Sequence, residues 1–169
     1  MARRFRGEST QKVDNKGRVS IPASFRRVLA AGDPDWSDGH PANLVIVYGD
    51  HRRAYLECYT IEAIEEVDDR IAALPRGGAE RRYLEKMFNG MSLETSVDTT
   101  GRLVLPKKLR DKIGLSTDSE AYFIGSGDTF QIWKNETFES DQTSGEDKLF
   151  EDLPEGSDPL VLLDRAQAG

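Results

Sequence analysis

The sequence is poor in the residue types that many binding chemistries require. Its single cysteine, Cys58, excludes an internal disulfide framework, and its two histidines, His40 and His51, lack the spacing of a zinc site. The longest apolar run, 44–48, is only strand-sized, and no apolar stretch follows the basic residues at the start of the chain. We therefore expect a cytoplasmic protein with no membrane span, no secretory signal and no bound metal.

Candidate catalytic groups are also scarce. The two histidines have no nearby partner in sequence, and Gly125-Ser126-Gly127-Asp128 is too short to cradle a phosphate. Asp14 and Asp98 could form a carboxylate pair for acid–base chemistry, but each stands at the turn-forming position of its own hairpin, where a structural role suffices. We expect no enzymatic activity, no cofactor and no small-molecule substrate.

One short motif is present twice. The segment Val13–Arg26 reads VDNKGRVSIPASFR, and Val97–Arg110 repeats it 84 positions later as VDTTGRLVLPKKLR. Val, Asp, Gly, Arg, Pro and the final Arg recur at matching places. An enzyme seldom needs its active loop twice, whereas a binding protein gains from two related contact surfaces at a fixed separation. The repeat therefore favours binding.

Each copy of the motif predicts a strand, a turn, a second strand and a short helix. The Asp of the turn can accept hydrogen bonds from amides that follow it, and the Gly can adopt the left-handed conformation that closes a hairpin. The proline then ends the second strand and suits the first turn of a helix. The predicted segments are 8–13, 19–21 and 23–30 in the first copy, and 92–97, 103–105 and 107–113 in the second.

A second hairpin follows each motif, and helices join the two copies. The second hairpins are predicted at 44–48 with 54–59 and at 121–124 with 129–133. The first copy contains an extra loop within 32–41. Helices are predicted at 61–74 after a Thr60 cap, at 79–89, and after a cap at Asn135. Their apolar stripes indicate core packing, with a subunit interface as the alternative.

These segments predict a mainly β fold with short helices, of the α+β class. The boundaries are a first repeat at 5–75, a linker and helix at 76–90, a second repeat at 91–138, and an acidic, disordered tail at 139–169. Neither repeat alone buries enough apolar surface to fold. We expect the two to pack into one pseudo-symmetric unit resembling a β-barrel.

Charge is distributed unevenly along the chain. The formal net charge is −7, but residues 1–27 are strongly basic and residues 139–169 are strongly acidic. The average therefore does not exclude a nucleic-acid partner for the basic end of the chain.

The first turn has the chemistry of a DNA contact. Asn15, Lys16, Gly17 and Arg18 place an amide, an ammonium and a guanidinium around a residue without a side chain. Lysine and arginine neutralise phosphate, and arginine can donate two parallel hydrogen bonds to guanine in the major groove. The candidate DNA-binding residues are these four, the arm residues Arg3, Arg4 and Arg6, and Arg102 of the second turn; Asp14, Asp98 and Gly101 are predicted to form the turns.

The sequence resembles the MraZ family, which is built from two AbrB-like swapped-hairpin units. The resemblance rests on the two motifs, on the opening Phe5-Arg6-Gly7-Glu8 and on the order of elements from 5 to 138. The resemblance implies a nucleoid-associated transcription factor that assembles into a homo-oligomeric ring. It also implies binding to short direct repeats in double-stranded DNA of its own promoter, and repression of the division and cell-wall gene cluster. A closed ring would present identical turns in one orientation, as direct repeats require.

The sequence departs from an even repeat at Thr100, which stands where the first copy has Lys16. The second turn is therefore less basic and is open to a structural or assembly role. The acidic tail lies outside the resemblance, and we consider it either a solubilising tail or a competitor of DNA for the basic end. Two other functions stay open: an antitoxin-like interaction protein of AbrB type, and a ring-shaped scaffold without nucleic acid.

Overall fold

The structure is a computed structural model that describes residues 4–141 and 145–168. The chain divides into two compact units, Met1–Phe138 and Glu139–Gly169. The strands are β1 Glu8–Lys12, β2 Arg18–Ser20, β3 Asn43–Val47, β4 Tyr55–Thr60, β5 Ser92–Ser96, β6 Arg102–Val104, β7 Glu120–Ser126 and β8 Thr129–Lys134. The helices are α1 Ala23–Ala31, α2 Ile61–Ala72, α3 Ala79–Glu85, α4 Lys107–Ile113, α5 Asn135–Ser140, α6 Gly145–Glu151 and α7 Val161–Ala168, with a π-helical turn at Lys86–Gly90.

Six strands form one antiparallel sheet in the order β1-β7-β8-β4-β3-β5. The two remaining strands, β2 and β6, form a separate antiparallel ribbon. The α+β class with short helices is confirmed, but the fold is mixed α and β rather than mainly β. The prediction of a unit resembling a β-barrel is wrong in that the sheet is not closed. The large sheet has two free edges in the described chain, β1 on one side and β5 on the other.

The strands that flank each motif turn pair across the repeats, which corrects the prediction of a hairpin within each copy. Strand β1 pairs with β7 over five residues, β5 pairs with β3 over five residues, and β2 pairs with β6. The turns themselves form as predicted. Because β2 and β6 have only three residues each, they could pair with only part of β1 and β5, their neighbours in sequence. Pairing across the repeats instead gives β1 and β5 partners over their full length, β7 and β3.

One hydrophobic core combines side chains of both repeats. Phe5 and Phe25 of the first repeat contact Phe130 of the second, with both ring centroids 5.0 Å from that of Phe130. In the small ribbon, Val19 and Leu103 are directly opposite each other and both are buried. A smaller cluster lies on β3 and β4 beneath α2. The expectation that the repeats pack together is therefore met by a shared core.

Most predicted helix ends agree with the structure to within two residues. Thr60 caps α2 by accepting a hydrogen bond from the amide of Ala63 at 3.0 Å. Helix α4 ends at Ile113 and is capped by Gly114, which has a φ of 75°. The helix predicted at 79–89 is α-helical only to Glu85, and the rest is the π-helical turn.

The unit Glu139–Gly169 contains two short helices, α6 and α7, that composition did not predict. Its apolar side chains Leu149, Phe150, Leu160 and Leu163 are exposed. The disorder expected for this segment stays a prediction.

Candidate nucleic-acid interface

The first motif turn is organised by the carboxylate of Asp14. Its Oδ1 accepts hydrogen bonds from the amides of Lys16 and Arg18, both at 2.9 Å, and its Oδ2 accepts one from Arg18 Nε at 2.7 Å. The backbone closes the turn where the amide of Gly17 donates to the Asp14 carbonyl at 3.1 Å. Chiefly the amide of Arg18, with help from its guanidinium, lowers the pKa of Asp14 to about 2.

Exposure in the first turn suits an approaching ligand. Asn15 and Lys16 are exposed, Gly17 is buried, and the Arg18 side chain is 28% exposed. Gly17 has a φ of +78°, which side-chain-bearing residues rarely adopt. The Asp14 contacts hold the backbone of the turn, and the part of Asn15, Lys16, Gly17 and Arg18 in DNA binding stays a prediction.

The second turn has the same backbone and a different side-chain network. The Asp98 Oδ1 accepts from the amides of Thr100 and Arg102, both at 2.9 Å. The Thr100 hydroxyl donates to Asp98 Oδ1 and accepts from Arg102 Nε, each at 2.8 Å. The Thr100 hydroxyl therefore lies between the Asp98 carboxylate and the Arg102 guanidinium. Arg102 Nε is 3.5 Å from Asp98 Oδ2. Gly101 has a φ of +81°.

Both arginines lie on one face of the small ribbon. The register puts Arg18 opposite Val104 and Arg102 opposite Ser20. Opposite residues, and residues two apart on a strand, share a face, so these four side chains are on the side away from buried Val19 and Leu103. Ser20 and Val104 are exposed, and each arginine is about one-third exposed. The fold thus unites two cations that are far apart in sequence.

The basic arm and the first turn are at opposite ends of β1. The buried ring of Phe5 anchors the arm, and the Phe5 amide donates to the carbonyl of Gly127 at 2.8 Å. Arg4 and Arg6 are exposed and precede β1, whereas the first turn follows it. The two ends of this five-residue strand are about 13 Å apart. Arg3 lies outside the described residues.

Neither a cluster of metal-ligating side chains nor a membrane-spanning helix is found in the part of the chain that the structure describes. No group of three or more His, Cys, Asp or Glu side chains in 4–141 and 145–168 could hold a metal ion. Among the same residues, no helix combines the length and the apolar character needed to span a bilayer.

Comparison with known proteins identifies the family. A family model described as "MraZ protein, putative antitoxin-like" matches residues 87–153. A protein of Ruegeria sp. (strain TM1040) called Transcriptional regulator MraZ is 67% identical over 166 residues, which is 98% of each chain. The chain belongs to the MraZ family. Proteins of the same name from Ruegeria pomeroyi and Coxiella burnetii are 62% and 31% identical, covering 98% and 91% of this chain and 98% and 93% of their own.

Membership in the MraZ family confirms the resemblance drawn from the two motifs, but one recurring motif residue had no role in the sequence-based prediction. The final arginine of each copy, Arg26 or Arg110, lies against the turn glycine of the other copy. Its recurrence at the same spacing was the available signal. The contact itself could not be read from sequence, because it depends on strand exchange between the repeats.

Proposed function

We propose that the protein is a DNA-binding transcriptional regulator that contacts the duplex with the exposed face of the β2–β6 ribbon. The name Transcriptional regulator MraZ, carried by relatives that match almost the whole chain, supports regulation of transcription. The observation that carries the DNA contact is the location of Arg18 and Arg102 on one exposed ribbon face, away from the buried pair beneath. Two-stranded ribbons of this width fit the major groove.

The first turn is the principal contact in this proposal. Lys16 is exposed beside Arg18 and adds a cation that can neutralise phosphate. Arg18 uses Nε for its contact with Asp14, and a two-pronged contact with guanine would use Nη1 and Nη2. The link to Asp14 fixes the direction of the guanidinium and so reduces the entropy lost on binding.

The operator and the assembly follow from the family resemblance. On that basis we propose binding to short direct repeats in the promoter of the protein's own gene, and repression of a division and cell-wall gene cluster. A homo-oligomeric ring on the nucleoid would repeat the ribbon face at a fixed spacing, so several weak contacts would act together.

A mobility-shift titration tests this function. The probe is a duplex from the region upstream of the protein's own gene, and the control is a shuffled duplex of equal length. We expect submicromolar binding to the first that weakens steeply as salt rises. Equal binding to both duplexes would remove the sequence-specific regulator, and no binding in dilute buffer would remove the DNA contact.

A second candidate is an antitoxin-like interaction protein of AbrB type. The description of the matching family model favours it, and that match covers the second motif and the beginning of the acidic tail. Under this candidate, the acidic segment 139–169 would bind a basic partner protein. Specific binding to the upstream duplex that persists after deletion of 139–169 would favour the regulator.

A further inference from the structure

Each motif turn is in contact with an arginine that belongs to the other repeat. A Cβ atom added to Gly17 would be 3.0 Å from Nε and 3.3 Å from Cζ of Arg110. The guanidinium of Arg110 therefore packs against the backbone of the first turn, at the one position of the turn that has no side chain.

The contact is reciprocal. A Cβ atom added to Gly101 would be 2.9 Å from Cζ and 3.1 Å from Nε of Arg26. Arg26 is at the beginning of α1 in the first repeat, and Arg110 is at the matching position of α4 in the second. The two turns are thus cross-braced by equivalent residues.

Backbone hydrogen bonds connect the same partners. The amide of Leu105 donates to the Gly17 carbonyl at 2.8 Å, and the amide of Ile21 donates to the Gly101 carbonyl at 2.9 Å. Arg110 Nε donates to the Leu105 carbonyl at 2.9 Å. One residue, Leu105, therefore holds both the turn and the arginine that covers it.

We propose that Arg110 and Arg26 are positioning residues that fix the turns of the opposite repeats in the conformation that meets DNA. This inference rests on the proposed function for its consequence at DNA, but not for the brace itself. A glycine in the left-handed region has no side chain of its own to stiffen the turn, so the turn depends on contacts from neighbouring groups. A flat guanidinium against that glycine limits its movement and thereby preserves the direction of Arg18 or Arg102.

The competing explanation is that Arg110 contacts phosphate directly. A phosphate contact requires only a positive charge, so lysine would replace arginine, and removal of the charge would lower the salt dependence of binding. A brace requires the planar group, its Nε donor and its contact with Gly17, so lysine would fail almost as alanine does.

Amide hydrogen exchange in the DNA-free protein tests the brace. The reporters are the amides of Lys16 and Arg18 in the first turn and of Thr100 and Arg102 in the second, which bond the turn carboxylates. We expect Arg110→Ala and Arg110→Lys to speed exchange about tenfold in the first turn only, and Arg26→Ala to do so in the second turn only. The matched control is Lys107→Ala, which removes a charge of α4 that pairs with Asp111 and leaves both turns unchanged.

Unchanged exchange in the braced turn, or equal acceleration in both turns, would overturn the proposal. Exchange of the amides of β7 and β8 reports whether a variant is unfolded as a whole. If Arg110→Ala is unfolded, the smaller change Arg110→Lys replaces it in the test.

Binding to the upstream duplex supplies the second measurement. We expect Arg110→Ala and Arg110→Lys to weaken specific binding about tenfold with no change in the slope of affinity against salt. Rescue by lysine together with a reduced slope for alanine would show a direct phosphate contact and reject positioning. If the unaltered protein ignores the duplex, the proposed function fails, while the exchange experiment still decides whether the brace exists.

Discussion

The two motif turns share one backbone and differ in how they present their arginine. In both turns, an aspartate carboxylate accepts hydrogen bonds from two backbone amides, each at 2.9 Å. In the first, Arg18 Nε donates to that carboxylate directly at 2.7 Å, and Lys16, which contributes its amide to the network, is exposed. In the second, the Thr100 hydroxyl lies between Asp98 and Arg102. The exchange of Lys16 for Thr100 within the same turn backbone therefore changes both the charge of the turn and the hydrogen-bond partner of its arginine.

The largest difference between the turns is expected at their glycines. An alanine Cβ at position 17 would lie 2.8 Å from the Leu105 carbonyl oxygen, which is backbone, whereas at position 101 its nearest neighbours are the end of the Arg26 side chain. Both positions also carry the cost of a positive φ. We expect Gly17→Ala to lower the free energy of unfolding by about 2–3 kcal/mol and Gly101→Ala by about 1–2 kcal/mol. Urea denaturation measures both, and the reverse order would contradict the packing described for Gly17.

Arginine truncation tests whether the turns share DNA binding equally. We expect Arg18→Ala to weaken specific binding by about 1–3 kcal/mol, because it removes a two-pronged contact. Arg102→Ala is expected to cost much less, because its turn lacks the neighbouring lysine. Titration of the upstream duplex measures each loss. Equal losses would mean that the two turns contribute alike, as their common ribbon face permits.

Exchanging the distinguishing residues sharpens the same comparison. Lys16→Thr should reduce the slope of log affinity against log salt by about 1, and Thr100→Lys should increase it by up to about 1. The reason is that each change removes or adds one cation at the DNA-facing turn. Titrations at four salt concentrations supply the slopes. An unchanged slope for Lys16→Thr would exclude Lys16 from contact with phosphate.

The smallest expected difference is in acid titration. Hydrogen bonds from the Arg18 amide and guanidinium lower the pKa of Asp14 to about 2, and those from the Arg102 amide and the Thr100 hydroxyl lower the pKa of Asp98. A carboxyl whose pKa is lowered on folding stabilises the fold above its unfolded pKa of 3.8. The contribution of Asp14 is thus complete above about pH 4 and is lost as pH falls toward 2. Carboxyl-carbon NMR titration checks the value for Asp14 and the direction for Asp98, and an Asp14 pKa near 3.8 would show that the network is not formed in solution.

The turns could be predicted from the sequence, because their determinants are local. Asp14 and Asp98 bond amides within four residues, and Gly17 and Gly101 have the positive φ that the motif predicted. Helix ends were accessible for the same reason, as Thr60 illustrates. The π-helical turn at Lys86–Gly90 was not predicted, because its apolar pattern continues that of α3.

Strand pairing was beyond the reach of the motifs. Alternation of apolar residues tells which side of β1 or β2 is buried, but it does not tell which strand lies beside it. A hairpin within one repeat and a pairing between the two repeats have the same alternation of apolar residues, and only the surface that each arrangement buries distinguishes them. The position of the arm is a related case: Arg4 and Arg6 are near the first turn in sequence, yet β1 lies between them, and their part in DNA binding stays a prediction.

The sequence by itself determined the turns, their charges and the duplication, because hydrogen bonds between near neighbours and side-chain chemistry do not depend on distant segments. Only the tertiary structure decided that Arg18 and Arg102 share a face and that Arg26 and Arg110 cover each other's glycines. Those relations arise because short β2 and β6 bury Val19 and Leu103 only when they pair with each other, which draws each turn onto the other repeat.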